Sequence, residues 1–261
     1  MFKNHIPLKF TDHSSLRVCE TNDYSFAKAE VLVPIVFDEM ADIAREYPII
    51  FPENDTGLPC ALMGLEADQN AYIGDEGRWL ATYIPAYIRR YPFMLANTGK
   101  GEGDKERFVV VFDPEASHFK DPNGHQVFNP DGSLTQHMEN RFALLQAMQK
   151  RIPRTIELVK VLENSGLLIE RTVTVKKADQ TRQITGFRVV DEKALNELPE
   201  DAFLELRRKG ALPLIYAHLL SWANFRQGPI AGKYPDLMSK AGRGDIPFHF
   251  EDDAIDFSKF S

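Results

Sequence analysis

Residues Gly77 to Phe93, GRWLATYIPAYIRRYPF, bring together one Trp, three Tyr, three Arg and no acid. A guanidinium is a planar, permanently charged fork that grips carboxylates and phosphates through paired hydrogen bonds, and aromatic rings beside it supply rigid apolar area. Arg78, Trp79, Tyr83, Tyr87, Arg89 and Arg90 are therefore the candidate ligand- or partner-binding residues. Arg89 and Arg90 are adjacent, so on a helix their side chains point about 100° apart and at most one faces a given pocket. The same residues also allow an internal role, in which a buried cation stacks on aromatics and is neutralised by an acid from elsewhere in the fold.

Other chemistry is sparse. None of the seven histidines belongs to a metal-binding pattern, and Cys19 and Cys60 are far apart, so no metal site and no cofactor is expected. Asn123-Gly124 and Asp131-Gly132 are turns rather than a phosphate cradle, because no helix start or Lys-Ser/Thr pair follows them. Ser221 lacks the elbow of a hydrolase nucleophile, and neither cysteine has neighbours that would activate it. His218 lies in an apolar helix and reads as a hydrogen-bonded core residue; His137 opens a long helix, where polar residues serve capping. No catalytic residue is assigned. The favoured function is a soluble binding or accessory protein that recognises an anionic small molecule, a peptide or a partner surface. The alternative is an enzyme in which Arg89 or Arg90 anchors an anionic substrate and His218 or His137 moves a proton.

The elements that position these residues belong to a chain of 261 residues, 43% hydrophobic and 26% charged, enough for a full core. The net charge of -7, without a long basic run, argues against nucleic acid and anionic membrane surfaces as partners. The first residues lack the apolar core of a secretory signal, and no stretch approaches the ~20 apolar residues of a membrane span. With two cysteines only, a cytoplasmic protein with reduced thiols is expected.

The hydrophobic period predicts an α+β fold. Antiparallel hairpins dominate residues 1–133, and helices plus one hairpin make up 134–227, either as one domain or as two packed lobes; 228–261 is a Gly/Pro-rich extension over the surface. Gln69 to Gly74 is expected to pair with Arg78 to Ile84, putting Trp79, Ala81 and Tyr83 on one face, and Pro85 opens a short helix. Phe93 to Arg107 reads as a solvated loop before a strand at Phe108 to Phe112. From Leu134 to Leu162 apolar residues recur at helical spacing, with Pro153 expected to kink or divide the helix. Leu167 to Lys176 and Ile184 to Val190 form a hairpin, and Leu212 to Phe225 is apolar on nearly every face and should be buried.

Three long stretches carry a resemblance: VPIVFDEMADIAREYPIIFP, CALMGLEADQNAYIGDEGRWLATYIPAYIRRYPF and GFRVVDEKALNELPEDAFLELRRKGALPLIYAHLLSWANF. Together they resemble the SapC family of bacterial proteins over about His5 to Phe225, and not the membrane permease that shares the name. The resemblance implies a link to envelope or nutrient-uptake systems, and it implies no reaction and no catalytic residues.

Overall fold

The computed structural model describes residues 1–54, 56–100, 106–177 and 180–234. Its first half contains β1 (Ile6–Pro7), α1 (Phe10–His13), β2 (Arg17–Val18), β3 (Leu32–Pro34), α2 (Met40–Ala44), β4 (Ile49–Pro52), β5 (Cys60–Leu62), α3 (Ala86–Arg89), β6 (Phe93–Lys100), β7 (Glu106–Phe112) and β8 (His125–Gln126). The second half contains α4 (Gln136–Asn164), β9 (Leu168–Lys177), β10 (Gln180–Val190), α5 (Glu192–Asn196), α6 (Glu200–Lys209), α7 (Leu212–Ser221) and α8 (Gly228–Lys233). The fold is α+β, and every strand pairing among the described residues is antiparallel.

Three sheets form, in the orders β1-β7-β6, β3-β5-β4-β10-β9 and β2-β8. The five-stranded sheet draws strands from both halves of the chain, because β10 pairs with β4 through Phe187↔Pro52 and Arg188↔Phe51. The large core packs on this sheet, whereas Val18, Phe93, Phe112, Val127 and Met138 belong to a smaller core beside the β1-β7-β6 sheet. The 29-residue α4 serves both: Met138 and Leu145 enter the small core, and Leu158, Val159 and Leu162 enter the large one.

Several expectations change. β6 runs on to Lys100 and pairs with β7, where a loop was expected, because backbone pairing tolerates polar side chains on the exposed residues 97–100. Residues 101–105 of that stretch lie outside the described residues. His125 and Gln126 pair with Val18 and Arg17 of β2. α4 passes through Pro153 undivided, although the proline has no N–H to donate. Tyr216 and Leu220 on α7 are 46% and 64% exposed, so that helix has an outer face despite its apolar sequence. In the expected C-terminal extension, α8 buries Ile230, and residues 235–261 lie outside the described residues.

The remaining difference sets up the site. Between Asp75 and Ile84 the expected hairpin reduces to a single bridge, Ile73↔Trp79. The amides beyond it are taken by acids on and beside α2. Glu46 Oε2 accepts from Thr82 N at 2.7 Å and Tyr83 N at 3.1 Å. Buried Glu39 accepts through Oε1 from Tyr83 Oη at 2.8 Å and from Ala86 N at 2.7 Å, and through Oε2 from Val36 N at 3.4 Å. These charge-assisted bonds compete with a cross-strand ladder and fix where α3 begins.

α7 docks on the sheet through the backbone of Ile49 and Val190. His218 Nδ1 donates to Ile49 O at 2.9 Å, and its Nε2 accepts from Val190 N at 3.1 Å. The register that pairs Arg188 with Phe51 would next set Val190 against Ile49, so the imidazole stands in for a rung of the ladder. Ser221 Oγ accepts from Ile49 N at 2.9 Å and donates to His218 O at 2.6 Å. His218 is structural, as its apolar setting foretells.

Two predictions follow from these anchors. Glu39→Ala strands two short donors in a buried site and should lower stability by about 3 kcal/mol, more than Glu39→Gln, which keeps one acceptor; urea unfolding of both variants checks the order. Burial holds the His218 pKa down to about 3, so the folded state binds fewer protons than the unfolded chain below the ordinary histidine value. Its contribution is complete above pH ~6.5 and is lost toward pH 3, at up to about 1.4 kcal/mol per pH unit. His218→Gln, which can both accept from Val190 and donate to Ile49, should flatten the stability profile between those limits. An unchanged profile would assign the acid lability to other groups.

Candidate functional site

The aromatic and Arg segment does not act as one surface. Trp79 is buried, donates from Nε1 to Tyr47 Oη at 2.9 Å and lies edge-on to Tyr24; Tyr47 Oη in turn donates to the Tyr83 carbonyl. Arg78 is exposed on the turn after Asp75–Gly77. The Arg90 guanidinium lies 3.8 Å from the Tyr87 ring centre and 5.8 Å from that of Phe2, and its Nε is buried without a hydrogen-bond partner. Burial lowers its pKa, while Tyr87 and Glu30 act in the opposite direction. The Arg90–Tyr87 pair thus matches the internal role weighed for it.

Arg89 differs. As the last residue of α3 it donates from Nε to Ile84 O at 2.8 Å and from Nη2 to Tyr83 Oη at 3.1 Å. Tyr83 Oη itself donates to Glu39 Oε1, which leaves its oxygen facing Arg89 as an acceptor. Burial, followed by the neighbouring Glu39, pushes the Tyr83 pKa up, so the phenol keeps its proton in this relay. Glu39, Tyr83 and Arg89 form a line from the core to the surface.

That surface is a cleft of about 490 Å³ at the seam of the two cores. One wall is Tyr24, Phe26, Ile88, Arg89 and Tyr91; the other is the first three turns of α4, with His137, Asn140, Arg141 and Leu144. Glu20 and Thr21 close one side, and His118, from the short turn Ser117–Phe119, completes the lining. His137 and Arg141 are four residues apart and share a helix face, so Arg141 Nε donates to His137 Nε2 at 3.3 Å. The His137 ring also stacks on His125, with centres 4.2 Å apart.

His118 is 4% exposed, packs edge-on against Phe26 and Tyr91, and has no hydrogen-bond partner for Nδ1 among the described residues. Burial, reinforced by the Arg141 charge, lowers its pKa to about 4, so near neutral pH the imidazole is uncharged. His137 is lowered too, by burial first and then by His125 and Arg141. Tyr91 Oη donates to Asp113 at 3.1 Å, and the fully buried Asp113 also accepts from Lys3 N and Glu115 N. The wall that carries Arg89 is thereby held at Tyr91 as well.

Of the residues singled out from sequence, the cleft takes Arg89 directly, Tyr83 as its support and His137 from the alternative reading; Trp79, Tyr87 and Arg90 pack behind it, and Arg78 stands apart. His118, Arg141 and Glu20 were missed. Only Arg141 had a local signal, its four-residue spacing from His137 on a helical stripe. Among the described residues, no group of three or more His, Cys, Asp or Glu stands where it could hold a metal ion, both cysteines are free, and no helix is long and apolar enough to cross a membrane.

No curated protein and no solved structure matches the chain. The SapC family model matches residues 8–227, which contain the cleft and the five-stranded sheet, and the chain therefore belongs to the SapC family.

Proposed function

We propose that the chain is a soluble accessory protein that binds an anionic ligand in the seam cleft, with Arg89 and Arg141 as its cationic walls. The observation that carries this reading is the placement of two guanidiniums, from elements packed on different cores, around one concave site that also has an apolar floor. A single acid, Glu20, lines the same cleft. The family resemblance adds a bacterial setting linked to envelope or nutrient-uptake systems, the two cysteines support a cytoplasmic location, and the charge of -7 argues against nucleic acid as ligand. The proposed recognition surface is accordingly the cleft that Arg89 lines, and not the Gly77 to Phe93 segment as a whole.

A second reading is carried by His118. A buried imidazole with an unpartnered Nδ1 beside an anion site is placed to exchange a proton with an anionic substrate, whose charge would raise its lowered pKa. A compound that His118→Gln binds as tightly as the parent protein does, but that only the parent converts, would establish it.

Thermal unfolding with benzoate and with inorganic phosphate tests the binding reading. An anion at ten times its Kd should stabilise the protein by about 1.4 kcal/mol. Arg141→Met should weaken binding about tenfold or more, and Arg89→Met should act in the same direction, since each removes a charge-assisted partner. Equal binding of both anions by the Arg89→Met, Arg141→Met double variant would place the ligand elsewhere.

A further inference from the structure

Glu20 Oε2 lies 2.8 Å from Arg141 Nη2, and Oε1 is 3.4 Å from His137 Nε2. The two ends of this contact are unequally held. The Arg141 side chain is 16% exposed, whereas that of Glu20 is 68% exposed, on the connection after β2. The second contact adds little, because His137 Nε2 already accepts from Arg141 Nε and so presents a lone pair, not a proton, toward Glu20. With its pKa lowered, His137 stays neutral near physiological pH and supplies no compensating charge. Glu20 is therefore kept by one guanidinium and surrounded by solvent, and its release costs little. Arg141 cannot follow it into water, and a mostly buried guanidinium without an anion is costly. Whatever displaces Glu20 must then bring an anion of its own.

We propose that Glu20 occupies the seat of the ligand's carboxylate, so that the cleft takes a carboxylate attached to a flat apolar body and opens by exchanging Glu20 for it. The inference rests on the anion-binding reading of the same cleft. A carboxylate is favoured over a tetrahedral anion because the group already seated here is a planar carboxylate, with Oε2 on Arg141 Nη2 and Oε1 beside His137. A flat apolar body is favoured because Tyr24, Phe26 and Leu144 line the cleft next to that seat. Glu20 thus acts as a built-in competitor. It keeps Arg141 paired while the cleft is empty and sets a threshold that a weak or bodiless anion does not pass.

Isothermal titration of the full chain with benzoate, acetate and inorganic phosphate distinguishes the cases. Benzoate should bind more tightly than acetate, and Glu20→Gln, which preserves shape but removes the charge, should tighten benzoate about five- to tenfold. That gain should vanish in the Glu20→Gln, Arg141→Met double variant. Glu20→Ala, checked by its melting temperature, repeats the measurement without the amide. Benzoate affinity unchanged or weakened in both Glu20 variants, with Arg141→Met still losing it, would overturn the exchange and leave the anion site standing. A larger gain for phosphate than for benzoate would overturn the carboxylate assignment. Failure of all three anions to bind any of these proteins would remove the anion-binding reading together with this one.

Discussion

The buried carboxylate of Glu39 determines how the candidate site is built. An acid at 6% exposure is tolerated only when its lone pairs are filled, and Glu39 fills them with the Val36 and Ala86 amides and the Tyr83 hydroxyl. Each partner belongs to a different structural task. Val36 leads into the turn before α2, Ala86 opens α3, and Tyr83 passes the interaction on to Arg89. A four-residue helix has almost no stability of its own, so α3 depends on this external acceptor for its direction. The guanidinium at its end points into the cleft because its Nε and Nη2 are already committed to Ile84 and Tyr83.

His218 does the corresponding work for the scaffold. β4 and β10 come from the two halves of the chain and pair directly at only two positions, and the imidazole prolongs that pairing from α7. Because Ser221 satisfies the other backbone polar group of Ile49, α7 cannot shift along the sheet without stranding both. A neutral ring is required here, since a protonated Nε2 would confront the Val190 N–H. The large core is consequently intolerant of acid even where its packing is wholly apolar.

The α+β class, the hairpin of β9 and β10 and the structural role of His218 were legible in sequence because each is written in local periodicity. The site was legible only in part. The Gly77 to Phe93 segment contains no acid, and its conformation is set by Glu39 and Glu46, more than thirty residues earlier. A pattern of two cannot reveal that carboxylates will replace a partner strand. His118 and Glu20 are likewise loop residues whose only common property is the seam they reach, and no spacing in the chain encodes that.

The ligand reading proposed for the seam rests on how its polar groups differ from those of the scaffold. Three buried polar groups of the scaffold are fully partnered: Glu39 by three donors, Asp113 by Tyr91 and two amides, His218 by two peptide groups. At the cleft, Arg141 is neutralised by an acid that is itself mostly in water, and His118 Nδ1 has no partner among the described residues. The local charge also runs against the molecule as a whole, whose excess of seven acids repels small anions at long range. For the proposed anion, attraction in the cleft would therefore be short-ranged and geometric, acting only within reach of the guanidiniums. Such a site gains selectivity from the shape of the anion and from the apolar area beside it, and little from electrostatic steering.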